Sequence, residues 1–261
     1  MAGWSFQSTT RRLPRPAARL VTVLVWLVVA VLALGLAAGR AEPRRAHAQG
    51  VVPMAQQSAL AAASGGGRAA LLAEARRELA AMRDTQYQHE TEVNAAKGEF
   101  YYDCSGFLDY ALKRAAPAAF RALPVTASSG RPLAQDFEHH LRQAGGGDPW
   151  RSVSTVSALL PGDVIAWLAT PDSKTRDTGH VMIVLGAPVH NPHRADEWLV
   201  KVVDSTVSPH AQDSRGADDE GLGTGTVGLV ADGSGHPVGF YWRGGVSKVA
   251  KRTDVALGRL G

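Results

Sequence analysis

The hydrophobic period of the chain changes once, near Leu160-Pro161-Gly162-Asp163. Before that turn, apolar residues recur at helical spacing. Leu71, Leu72, Ala75, Leu79 and Met82 line one face of a helix over Ala69 to Met82. A second helix begins at Cys104, presents Phe107, Leu108, Ala111 and Leu112, and ends before Pro117. A third covers Pro132 to Gln143 with Phe137 and Leu141 as its face, and Gly145-Gly146-Gly147 stops it. Beyond the turn the runs are short and strand-like: Asp163 to Leu168, His180 to Leu185, Trp198 to Asp204, Thr226 to Ala231 and Val238 to Arg243. Asp232-Gly233-Ser234-Gly235 joins the last two as a tight hairpin. Helices first and strands afterwards predict an α+β fold, with the helices packed on an antiparallel sheet.

The other strong pattern is at the N-terminus. Leu20 to Ala38 is a run of 19 mostly Val, Leu and Ala residues with no charge, preceded by an arginine-rich start. A secretory core is usually ~7–15 residues and a spanning helix ~20, so the run lies between the two. Ala46-His47-Ala48 offers a small-residue cleavage site. Residues 1–48 therefore read as a signal peptide or an N-terminal membrane anchor, and 49–68, rich in Ala, Ser, Gln and Gly, as a linker. The main folded domain spans 69–245, and the basic stretch 246–261 reads as a final edge strand or a tail. Export places the domain in the periplasm or outside the cell, free or held at the inner membrane by an uncleaved leader. The formal charge of +4 comes from the leader, where seven arginines face Glu42; the remaining residues carry a net −2. That balance gives no case for nucleic-acid binding.

Cys104 is the one cysteine of the chain. In an exported protein a lone thiol is buried and inert, paired between molecules, or reactive. Asp103 suits a helix N-cap, which puts the sulfur in the first turn. There, unpaired backbone N–H groups and the positive end of the helix dipole lower a thiol pKa. His180 starts a strand, and a later strand ends in Asp204-Ser205-Thr206. Antiparallel pairing of the two sets Asp204 beside His180. Nucleophile, base and orienting carboxylate then follow in chain order. His139 and His140 read as a solvated helix face, and His190-Asn191-Pro192-His193 as a hairpin tip. His89 and His210 fall in loops and read as surface, with a place in the substrate groove as the alternative. None of these has metal-ligand spacing, and the chemistry needs no metal or organic cofactor.

Four segments in order resemble the NlpC-type cell-wall cysteine peptidases, a branch of the papain-like superfamily. They are the helix Ala69 to Met82 followed by Thr85-Gln86-Tyr87, then Asp103-Cys104-Ser105-Gly106-Phe107, then Leu160-Pro161-Gly162-Asp163-Val164-Ile165-Ala166-Trp167, and Gly179-His180-Val181-Met182-Ile183-Val184-Leu185-Gly186. The resemblance implies a papain-like domain that hydrolyses amide bonds in peptidoglycan stem peptides. It implies that Cys104 is the nucleophile and His180 the base; the third catalytic residue of the family is often histidine, and here it would be Asp204. It further implies that Tyr87 supports the oxyanion or the substrate, and that Asp103 and Ser105 bind the substrate's amino group, for which helix capping is the equal alternative. Acyl transfer to an amine or alcohol on the same thiol, and an inactive module that binds wall peptides, are the other readings.

Overall fold

The computed structural model describes residues 54–126, 129–173 and 177–261, with the side chains of 54–65 excepted. The expectations for the leader fall outside the described residues. Among the described residues no helix is long and apolar enough to cross a membrane.

The chain opens with α1 (Met54–Ala81), which Gly66 kinks at a φ of 69°. The stretch read as a linker to residue 68 thus already carries helix. Its Ala and Gln residues have high helix propensity, and the glycines kink the helix rather than end it. Three short strands follow: β1 (Asp84–Gln86), β2 (Glu92–Asn94) and β3 (Glu99–Tyr101), forming a small sheet in the order β1-β3-β2. Next come α2 (Cys104–Ala115), α3 (Pro117–Ala122) and α4 (Ala134–Gln143). The rest is mainly strand: β4 (Trp150–Ser152), β5 (Val164–Trp167), β6 (His180–Val184), β7 (Val189–His190), β8 (Glu197–Thr206), β9 (Gly221–Ala231), β10 (Pro237–Tyr241), β11 (Lys251–Arg252) and β12 (Val255–Leu260).

These nine strands form one antiparallel sheet, ordered β11-β10-β9-β8-β6-β5-β12-β4 with β7 added on β8. The predicted α+β class with a helix layer on an antiparallel sheet is what the molecule has. The last strand differs from expectation. β12 is not at an edge but lies between β5 and β4, and Val255, Ala256 and Leu257 are buried. Two apolar faces are available there, so an interior slot buries both, where an edge would leave one open.

Side chains alternate across the sheet. On one face Val164, Ala166, Val181, Ile183 and Val203 pack with Leu71 of α1, Phe107, Leu108 and Ala111 of α2, and Phe137 and Leu141 of α4. On the other, Ile165, Trp167, Met182, Val184, Val202, Leu229 and Phe240 form a second core, closed by Val153, Val156 and Leu159. The sheet curls around that second core. Trp167 of β5 and Phe240 of β10 stack at 4.0 Å between ring centroids, although three strands lie between them in the sheet.

Candidate active site

Cys104 is the first residue of α2. Asp103 caps the helix, its Oδ1 accepting from the Gly106 N–H at 2.7 Å and from the Ser105 hydroxyl at 3.0 Å. Gly106 is required here, since a Cβ at that position would come within 2.6 Å of the Thr91 hydroxyl. The helix packs across β6, and its first turn meets the start of that strand. The backbone N–H groups of Val181 and Ser105 favour the charged form of the Cys104 sulfur.

His180 opens β6 directly after Gly179, which has a φ of 119° and whose missing Cβ would overlap the Trp167 carbonyl oxygen. Strands β6 and β8 pair antiparallel, with Ile183 opposite Val203. Extending that register brings the start of β6 beside the end of β8, and His180 and Asp204 project from the same face. Nε2 of His180 lies 2.6 Å from Oδ2 of Asp204. A carboxylate accepts, so Nε2 carries the proton and Nδ1 is left as the lone-pair nitrogen. Trp167 and Trp242 flank the ring, with centroids at 5.6 and 5.2 Å.

Two residues outside the expected set complete the cluster. His210 is buried, and its Nε2 lies 2.8 Å from the same Oδ2 of Asp204. The Arg215 guanidinium donates to Oδ1 of Asp204 at 2.9 Å and to both oxygens of Asp213, at 2.8 and 2.9 Å. Sequence reasoning favoured the surface over the groove for His210 and did not single out Arg215. Both lie in the polar loop before β9, and only the folded sheet shows what they face. The one available signal was the run of alternating glycines in β9. A Cβ on Gly223 would lie 2.6 Å from Nε of Arg215, and one on Gly225 would lie 2.6 Å from Cβ of His210. Those glycines leave the space in which the two side chains sit.

His180, Asp204 and His210 also have the composition of a two-histidine, one-carboxylate metal site, their ligand atoms all lying within 4.8 Å of one another. The geometry is that of hydrogen bonding. Both imidazole nitrogens bond directly to one oxygen, and a guanidinium cation holds the other.

The electrostatics follow. Burial alone would raise the Asp204 carboxyl, but the charge of His210 and the hydrogen bonds from His180 and His210 hold it well below the usual carboxylate range. Cys104 is 5% exposed. Burial, then the Asp103 charge, push its thiol above the usual range, against the pull of the Val181 and Ser105 N–H groups. Burial and the Asp103 charge thus oppose the helix dipole at this sulfur.

The other expected residues lie close by. Tyr87 is half-buried and lines, with His180, Trp167, Phe240, Trp242 and Thr206, a cleft of about 670 Å³. Asp103 and Ser105 are buried and engaged by Arg131, which donates to Oδ2 of Asp103 at 2.8 Å and to the Ser105 hydroxyl at 2.7 Å. His89 approaches the same Asp103 oxygen at 3.2 Å. These contacts make Asp103 and Ser105 part of the capping structure under the nucleophile. The segment His190 to His193 ends β7 and begins the turn to β8, with the Asn191 amide donating to Glu197 at 2.5 Å.

No known family model matches this chain, and no solved structure matches it. An uncharacterized protein of Acanthamoeba polyphaga mimivirus is similar, at 28% identity over 180 residues, covering 60% of this chain and 77% of that protein.

Proposed function

We propose that the chain is an exported cysteine peptidase or amidase of papain-like, NlpC-type fold, cleaving amide bonds in peptidoglycan stem peptides. The observation that carries the reading is the 2.6 Å bond between Nε2 of His180 and Asp204, beside a sulfur whose ionisation the N–H of the residue next to His180 favours. The bond commits one nitrogen of the ring and leaves Nδ1 free to act as base. The sulfur sits at the first position of a helix, where backbone N–H groups have no partner in the helix.

The chemistry would run as general-base-assisted acyl transfer. A substrate carbonyl enters the cleft beside His180. Nδ1 of His180 takes the Cys104 proton as the sulfur attacks, so that charge develops only as the new C–S bond forms. This suits a thiol whose burial opposes ionisation. The backbone N–H of Cys104 would help stabilise the oxyanion, with the Tyr87 hydroxyl at the cleft wall. His180 returns the proton to the leaving amine, and water releases the acyl group from the thioester. Asp204 holds the imidazolium that forms between these steps.

The substrate class rests on the resemblance of the four segments and on the predicted leader. Incubating the protein with purified peptidoglycan and identifying soluble products by mass tests it. New peptide fragments with free amino and carboxyl ends are expected. Products in which an added amine replaces water would instead mark the site as a transferase. No product of either kind would remove the wall substrate.

A further inference from the structure

The His210 ring has two partners, and both can only accept. Nδ1 lies 2.9 Å from the Trp242 carbonyl oxygen and Nε2 lies 2.8 Å from Oδ2 of Asp204. A neutral imidazole has one N–H and cannot satisfy both. The alternative, a proton on Asp204, conflicts with the Arg215 guanidinium on its other oxygen. We propose, building on the thiol-catalysis reading above, that His210 is a positioning residue held as an imidazolium, and that its fixed charge sets the basicity of His180 through the carboxylate they share.

The surroundings fit a permanent cation. Asp204 of β8 faces it on one side and the Trp242 carbonyl, just after β10, on the other. Asp213 of its own loop accepts from the His210 backbone N–H at 2.7 Å. Arg215 is the neighbouring cation, and the His180 ring of β6 lies 6.2 Å away between centroids. Gly225 of β9 adds no charge and leaves the ring its seat. Two carboxylates, one guanidinium and one imidazolium make this cluster neutral, so His180 does not sit beside an uncompensated anion. Burial by itself would lower the pKa of His210, but the Asp204 charge and the two hydrogen bonds reverse it to a net rise.

A prediction separates this role from simple packing. His210→Gln keeps a donor toward Asp204 and removes the charge. The cluster becomes anionic, and His180 becomes the stronger base. With a cation lost about 6 Å away in a partly screened interior, the limb that reports His180 protonation should move up by about one pH unit or more. Cys104 is the only thiol, so the pH dependence of its alkylation by iodoacetamide reads that limb in the full chain without a known substrate. A packing role would lower the rate and leave the limb in place. The protonation state is read directly from the ¹⁵N resonances of the His210 ring. Both nitrogens should be protonated at pH 7. A neutral ring at pH 7, or an unmoved limb in His210→Gln, overturns the proposal. His180→Ala is the control. If the limb survives in it, the thiol-catalysis reading fails, and the ¹⁵N result still decides the protonation of His210 alone.

Discussion

His180 and Asp204, the first residue of β6 and the eighth of β8, meet through a 2.6 Å bond that neither strand makes alone. The carboxylate is fully buried and also holds His210 and Arg215. Removing it therefore does more than free a ring. Asp204→Ala strips His210 of its carboxylate and Arg215 of one of its two, and breaking such a buried pair costs about 3–5 kcal/mol. Denaturant unfolding should show that loss, together with a fall in activity. A variant as stable as wild type would mean that the cluster contributes nothing to folding.

His180→Ala should cost as much activity as losing the thiol, because nucleophile and base act as one unit. Its effect on stability should be small beside that of Asp204→Ala, since the ring lies at the cleft and not in the core. A residual kcat/KM above about a tenth of wild type would assign the base elsewhere.

Gly179 fixes where His180 starts. At a φ of 119°, with the Trp167 carbonyl oxygen occupying the space of a Cβ, alanine cannot be accommodated without moving the strand end. Gly179→Ala should destabilise by about 2 kcal/mol or more and displace the imidazole. Unchanged melting together with unchanged activity would show that the β6 start is not held as tightly as its backbone suggests.

Glu78 gives a pH dependence in the core. It is buried on α1, accepts from the Tyr102 hydroxyl at 2.8 Å, and burial pushes its carboxyl up to about 8. The folded protein therefore binds a proton there that the unfolded chain releases near pH 4.5. The stability this proton contributes is fully present below pH 4.5 and is lost as pH rises toward about 8. Glu78→Gln should flatten that slope and stabilise the protein at pH 7 by an amount on the order of 3 kcal/mol. Parallel pH–stability curves for the variant and wild type would contradict it.

The residues that proved legible in the sequence are those whose neighbours are local or set by strand pairing. Asp103 capping α2 follows from one dipeptide, and the meeting of His180 with Asp204 follows from antiparallel pairing of two apolar runs. His210 and Arg215 were not legible, because a polar loop does not reveal which strand it covers. The strand expected over Thr226 to Ala231 leaves out the alternating glycines before it, because glycine argues against strand. Here they extend the strand back to Gly221 and make room for the two side chains. The three-residue strands β1 to β4 are too short to show a period of two. β12 was masked by the basic residues before it, Lys248, Lys251 and Arg252, which suggested an exposed end.

The most direct test of the site is Cys104→Ala in the full chain, with folding checked by circular dichroism and activity measured as products released from purified peptidoglycan. The account predicts a folded protein with turnover reduced at least about a thousandfold. A folded Cys104→Ala protein that releases the same products at the wild-type rate would contradict it.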